Sequence, residues 1–386
     1  MKIVHIITRM IIGGAQENTL YTVTGLLQKG YDVTLVSGPS SGPEGSLEEL
    51  IRQKNIPFKK IRNLVRQINP FIDVIAFFRI AMLLRKERFD IVHTHSAKAG
   101  ILGRVAAGIF SPSSITIHTI HGLSFHPYQN RLKNRFYVFY EKIADFFTDY
   151  YVSVSEIMVK RCLDAGIGKK KKFSIIRSGF DVKKYMEADT MREKTRQALG
   201  IKENEILLGM IGRLFYLKGH DYLLNVFSKM TKDYPGLKLL IIGGGILQNK
   251  FETFVKKNNI SEKVIFTGLV KGEKIPELVS AMDFGVHTSL REGLPKAVAQ
   301  IMAGGKPVIA FDVDGTKEIV RDSFTGFLVP AKDEVILEEK ISILIKDPVF
   351  RQKMGNNSRK IIEQNFSTEK MLDEIEKLYL NIVNTR

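Results

Sequence analysis

Short apolar runs alternate with stretches of helical periodicity along the chain. Residues 2–7 read as a buried strand that meets the pair Gly13-Gly14. Residues 15–28 then follow a helical period that stops near Gly30. Residues 31–37, 90–93, 114–119 and 150–154 repeat the β-rich run, and residues 70–87 carry a helical pattern between them. The scheme restarts further on. Residues 206–211, 238–242, 263–266, 284–287 and 307–310 read as strands, separated by helical periods such as 222–234 and 274–282. Residues 369–383 close the chain as an amphipathic helix. Strands alternating with helices predict mostly parallel, doubly wound sheets. Two such sheets predict two domains, with ligand bound in the cleft outside the strands' carboxyl ends. The boundary falls near Ser178, before the polar stretch 183–205.

Composition narrows the class. A chain of 386 residues, 44% hydrophobic and 26% charged, has enough apolar residues for two cores, which excludes disordered and collagen-like classes. The single cysteine, Cys162, forms no intrachain disulfide and fits a reducing compartment. No signal peptide is expected at the N-terminus, and no run of apolar residues has the length of a membrane-spanning helix. The net charge of +17 is lopsided, with 26 basic against 13 acidic residues up to Ser178 and 32 against 28 beyond it. Such a basic half attracts phosphorylated small molecules, anionic lipid or nucleic acid.

Candidate chemistry sits where strands run into loops. Gly13-Gly14 lies between a strand and a helix, where backbone N–H groups either approach an anion or only make a tight turn. After the strand at 206–211, Arg213 and Lys218 pair a fixed guanidinium with a mobile ammonium, a set suited to a diphosphate. Gly243, Gly244 and Gly245 form a second glycine turn, a weak signal on its own. Residues 291–310 are more specific. Glu292 precedes a helix expected to start near Pro295, and Gln300 lies about a turn inside it, facing roughly as Lys296 does. A carboxylate there holds sugar hydroxyls or caps the helix dipole. The histidines His93, His95, His121 and His126 lack the spacing of a zinc site, so no metal is expected.

These segments, as an ordered set, resemble a retaining glycosyltransferase of family 4 (the group 1 type). They are Gly13-Gly14-Ala15-Gln16, His93–Ser96, Thr119–Gly122, Val152–Ser155, Ser178–Asp181, Gly212-Arg213-Leu214, Lys218-Gly219-His220, Phe266–Gly268, Glu292–Pro295 and Gly304–Pro307. The resemblance spans nearly the whole chain and implies the GT-B fold, two facing Rossmann-like α/β domains with the nucleotide-sugar site in the interdomain cleft. It implies an acceptor-side domain over 1–178, onto which the C-terminal helix of about 369–386 packs back, and a donor-nucleotide domain over 179–368.

The resemblance also implies roles. Arg213 and Lys218 hold the departing diphosphate, with the Gly13-Gly14 turn meeting it from the other domain. Glu292 matches the first glutamate of the family's Glu-x7-Glu pattern, near the transferred sugar. The backbone of Gly293, Leu294, Pro295 and Lys296 helps with sugar and phosphate. The base stacks near Leu269 and Val270, just after Phe266–Gly268, and Gly245 is a further donor-binding candidate. His121 matches the active-site histidine that meets the donor sugar. The second glutamate of the pattern is Gln300 here, which keeps one acceptor oxygen but loses the charge. His95 and Lys98 are acceptor-side candidates. No metal or other cofactor is implied, and a UDP-sugar is favoured as donor. The implied acceptor is a lipid-linked glycan or saccharide of envelope polysaccharide synthesis, met in the cytoplasm or on the inner face of the membrane.

Two basic clusters fit an anionic membrane: Arg52, Lys54, Lys59, Lys60, Arg62 and Arg66, then Arg131, Lys133 and Arg135 among aromatics. Solvated faces explain them almost equally well. The apolar segment 70–84 is expected to pack on the core. A GT-B nucleotide-sugar 2-epimerase and a non-catalytic nucleotide-sugar binder are the alternative readings. Nucleic acid is not expected as a partner, because no recognised binding motif is present.

Overall fold

The computed structural model describes residues 1–40, 42 and 45–385. Two compact units emerge, one of residues 1–180 with 368–386 and the other of residues 181–367. The last position of the expected C-terminal helix, 386, lies outside the described residues.

The first unit is built on seven parallel strands: β1 Lys2–Ile7, β2 Asp32–Ser37, β3 Phe58–Lys60, β4 Ile91–His95, β5 Ile115–Ile120, β6 Tyr150–Ser153 and β7 Phe173–Ile175. Their order is β3-β2-β1-β4-β5-β6-β7. The central strands carry apolar residues on both faces because helices cover both. One face packs Leu20, Val23 and Leu26 with Met371, Ile375 and Tyr379 of the C-terminal helix Thr368–Asn384. The other packs Ala76, Ile80 and Leu84 with Ala99, Ala106 and Ala107.

The second unit has six parallel strands: β8 Ile206–Ile211, β9 Leu237–Ile242, β10 Val264–Phe266, β11 Phe284–His287, β12 Val308–Phe311 and β13 Gly326–Val329. Their order is β10-β9-β8-β11-β12-β13. In each unit the order reverses direction beside the first strand, at β1/β4 and at β8/β11. Such switch points open a crevice at the strands' carboxyl ends. Both units thus have the doubly wound, Rossmann-like form read from the hydrophobic pattern.

The helix Pro70–Glu87 packs on the core as expected, but along one stripe only. Its Ala76, Ile80, Ala81 and Leu84 are buried, but Phe71, Val74, Ile75, Phe78 and Met82 are exposed. A single helix has buried one stripe and left a second apolar stripe uncovered.

Candidate functional site

In the second unit the chemistry gathers where β8 and β11 end. The loop after β8 is fastened to the loop after β11. Leu290 N–H donates to the Leu217 carbonyl at 2.8 Å. The Thr288 hydroxyl donates to the Gly219 carbonyl at 2.7 Å, and the Ser289 hydroxyl to the Leu217 carbonyl at 3.1 Å. Gly219 makes this contact possible. Its φ is +72°, and a Cβ there would stand 1.8 Å from the Thr288 carbonyl oxygen.

The fastening sets Lys218 against Glu292, Nζ to Oε1 at 2.6 Å. His287, the last residue of β11, places Nε2 3.1 Å from the same oxygen. The Glu292 backbone N–H donates to the Asp314 carboxylate at 2.9 Å. Burial by itself raises the pKa of Glu292. The Lys218 charge and the His287 hydrogen bond outweigh it and hold the carboxyl below the usual range. Glu292 is therefore ionised, immobilised and partly shielded from water. His220, next to Gly219, is packed on Phe251 with ring centroids 5.4 Å apart, and burial pushes its pKa down to about 3, so it stays neutral.

Arg213 is exposed on the Lys218 loop, its guanidinium over the Phe215 ring at 5.1 Å. The glycine turn after β9 lies directly against this loop. Leu214 N–H donates to the Gly244 carbonyl at 3.0 Å, and a Cβ at Gly245 would stand 2.4 Å from the Leu214 carbonyl oxygen. Gly243 N–H in turn donates to the Gly268 carbonyl at 3.1 Å, which brings exposed Leu269 and half-buried Val270 beside the turn. Arg213, Gly245, Leu269 and Val270 thus belong to neighbouring strand ends. Gly293, Leu294 and Lys296 are half-buried around the start of the helix Lys296–Ala303. Pro295 is that helix's N-cap, not its first residue, because its ψ of 96° is extended. Gln300 is buried, and its amide nitrogen donates to the Tyr185 hydroxyl at 2.6 Å. One of its polar atoms is therefore committed within the protein, and the amide oxygen remains as its acceptor.

In the first unit, Gly13 is the N-cap of the helix Gly14–Gln28, and no side chain caps that helix. A Cβ at Gly14 would meet nothing within 4 Å, so open space lies beside the first backbone turn. His121 follows β5, half-buried, and burial pushes its pKa down to about 4. The two acceptor-side candidates are held by neighbours in the same unit. His95 is buried, with one ring nitrogen on His5 at 2.9 Å and the other on His121 at 3.1 Å. It stands behind His121 and has no nitrogen left for an acceptor. Lys98 is engaged by Asp73 at 2.5 Å and by the Gln67 carbonyl, so its ammonium anchors the start of the helix Pro70–Glu87. Sequence reading did not single out His287, Asp314, His5 or Tyr379. The visible signals were His287 at a strand end and Asp314 just after β12.

Two Rossmann-like sheets of this order are the architecture of GT-B glycosyltransferases, whose solved structures share this fold. The model for glycosyltransferase family 4 matches residues 12–184, and that for glycosyl transferases group 1 matches residues 191–361. The chain belongs to glycosyltransferase family 4 and is a glycosyltransferase. It is 27% identical to the UDP-Gal:alpha-D-GlcNAc-diphosphoundecaprenol alpha-1,3-galactosyltransferase of Escherichia coli, covering 99% of this chain and 97% of that one. It is also 27% identical to the capsular polysaccharide biosynthesis glycosyltransferase CapM of Staphylococcus aureus, covering 92% and 91%. Its fold is shared with Anabaena HepE, solved in complex with UDP-glucose, at a TM-score of 0.84 and 21% identity over 99% of this chain and 100% of that one.

Proposed function

We propose that this chain transfers a sugar from a UDP-sugar, with retention of configuration, to a hydroxyl of a lipid-linked glycan precursor. The observation that carries this reading is the ionised Glu292 clamped by Lys218 and His287, with Arg213 exposed on the Lys218 loop. In the transfer, the bond from the anomeric carbon to the diphosphate oxygen breaks. The acceptor oxygen bonds to the same face of that carbon, and its proton passes to the departing diphosphate. Arg213 and Lys218 meet the charge that develops there, doing the work of a divalent cation. Lys218 is held in place by Glu292 beforehand, so little side-chain freedom is lost when the donor arrives. Glu292 and the backbone of Gly293 to Lys296 accept and orient the sugar hydroxyls. Leu269 and Val270 give the base an apolar platform, Gly245 lets the nucleotide approach, and the Gln300 amide oxygen faces the ribose. The first unit carries two further candidates of the same chemistry, His121 for a sugar hydroxyl and the Gly13-Gly14 turn for phosphate.

The acceptor reading rests on the likeness to the Escherichia coli enzyme, whose name includes a lipid diphosphate, and on the surface of the first unit. The uncovered stripe Phe71, Val74, Ile75, Phe78 and Met82 has a counterpart on the helix Arg131–Phe146. There Leu132, Phe136, Phe139, Ile143 and Phe146 are exposed at helical spacing beside Arg131, Lys133 and Arg135. Both helices flank the helix Ala97–Phe110. Apolar stripes edged with basic residues fit a bilayer interface that carries anionic lipid. No helix among the described residues is long and apolar enough to cross a membrane. The exposed stripes support a reading in which the protein works at a membrane surface.

A panel of nucleotide sugars, each offered with a lipid-diphosphate-linked saccharide, tests the reading. UDP release with an α-linked product is expected for a UDP-sugar. Arg213→Ala is expected to lower turnover about 100- to 1000-fold with the fold intact. Near-normal transfer by that variant, or an inverted product, refutes the assignment.

A further inference from the structure

Behind His121 the first unit holds a row of side chains that the transfer chemistry does not use. His121 Nε2 faces His95 Nδ1 at 3.1 Å, and His95 Nε2 faces His5 Nδ1 at 2.9 Å. His5 Nε2 reaches the Tyr379 hydroxyl at 3.4 Å. That hydroxyl meets His93 Nδ1 at 2.5 Å, and His93 Nε2 meets the Thr119 hydroxyl at 2.6 Å. His5, His93, His95 and Tyr379 are at most 1% exposed.

Strand register builds the row. β1 and β4 pair with His5 opposite His93, and β4 and β5 pair with His95 opposite Thr119. Residues two apart on a strand share a face, so His93 and His95 point the same way. The C-terminal helix crosses that face and supplies Tyr379. The ring nitrogens of His5, His93 and His95 lie within 4.8 Å of one another. All six have hydrogen-bond partners within the row.

Burial keeps every ring neutral, and mutual repulsion adds to this at His93 and His95. A neutral imidazole has one N–H and one bare nitrogen. Each contact in the row needs one proton between its two atoms. If His121 carries its proton on Nε2, then His95 and His5 must carry theirs on Nε2 as well, and His93 follows when Tyr379 accepts from His5 and donates to His93. If His121 carries it on Nδ1, all four carry it on Nδ1 and Tyr379 donates to His5. A mixed pattern sets two N–H groups or two lone pairs against each other along His121, His95 and His5, or leaves the Tyr379 hydroxyl proton without a partner between His5 and His93, each costly in a buried site.

We propose that Thr119, Tyr379, His93, His5 and His95 form a positioning relay that ties the tautomer of His121 to those of the buried rings. The shared tautomer sets whether the outer nitrogen of His121 offers a proton or a lone pair to the donor's sugar hydroxyls. The functional half of this statement rests on the reading that His121 meets the sugar.

The test is a two-bond proton–nitrogen correlation spectrum of the full chain labelled with nitrogen-15 in its histidine rings. His5, His93, His95 and His121 are expected to share one tautomer at pH 7. Mixed tautomers, or a charged ring in the row, overturn the relay. Thr119→Val removes the end hydroxyl at constant shape, Thr119→Ser keeps it, and Tyr379→Phe cuts the middle. Thr119→Val and Tyr379→Phe are expected to shift the His121 tautomer. They are also expected to lower kcat about 5- to 10-fold with donor KM changed less than about 2-fold, the scale of one orienting hydrogen bond. Thr119→Ser is expected to behave as the parent. Should Tyr379→Phe fail to fold, Thr119→Val carries the test. An unmoved His121 tautomer overturns the relay. A moved tautomer with unchanged kcat instead supports the relay and removes His121 from the sugar.

Discussion

Replacing Lys218 by Met tests the clamp on Glu292 most directly, because the methionine keeps much of the volume and removes the charge. Glu292 would then sit 13% exposed with its strongest partner gone. Breaking a fully buried ion pair costs about 3–5 kcal/mol. Lys218 is 24% exposed, and His287 and Asp314 keep their contacts with Glu292. The expected loss is therefore smaller, about 2 kcal/mol, near the value of one charge-assisted hydrogen bond. For a domain of this size each kcal/mol moves Tm by about 2–4 °C, so the second unit should melt about 4–8 °C lower at pH 7. The cost comes from a stranded charge, so Lys218→Met combined with Glu292→Gln should melt above Lys218→Met alone. The pH dependence has a definite sign. In the parent the folded carboxyl lies below its unfolded value, so its contribution is present above the unfolded pKa and fades as pH falls further. In Lys218→Met, burial raises that pKa and the carboxyl takes up a proton sooner. The deficit should shrink as pH falls through about 4.5, the ordinary carboxyl range. Scanning calorimetry of the parent and the two variants between pH 4 and 8 makes the measurement. Equal Tm values at pH 7, or a deficit that grows in acid, would refute the reasoning.

Other changes are expected to act as follows. Gly219→Ala drives a Cβ into the Thr288 carbonyl at a positive φ. It should destabilise the second unit by at least about 3 kcal/mol in urea titrations, where a normal midpoint would contradict the loop packing. Arg104, wholly buried, bonds Glu141 at 2.6 Å and ties the helix Arg131–Phe146 to the helix Ala97–Phe110. Arg104→Met should cost about 3–5 kcal/mol, with recovery when Glu141→Leu is added; calorimetry of the single and double variants decides. Phe71→Ser with Phe78→Ser, or Phe139→Ser with Phe146→Ser, should leave Tm nearly unchanged, because these rings already face solvent. Either pair should weaken co-sedimentation with anionic vesicles at low salt about tenfold or more. Undiminished vesicle binding by both pairs would remove the membrane face.

Central strands were legible in the sequence alone. β1, β8 and β11 stand at the residues read from their apolar runs, because a parallel strand covered on both faces must be apolar almost throughout. The edge strands β3 and β7, each three residues long, left no such mark. Their pairing with β2 and β6 makes them strands. Arg213, Lys218 and Glu292 were readable because each sits in a short motif at a strand end. Their arrangement was not, since 74 residues separate Lys218 from Glu292 and only the meeting of two loops joins them. The opposite limit is His5. Within β1 it is a polar residue in an apolar run, and its partners lie 90 and 374 positions away. Local pattern determined which segments became strands and helices, because burial and periodicity act on neighbours in the chain. Only the tertiary structure decided which polar groups met inside the fold, because register and helix docking set those distances.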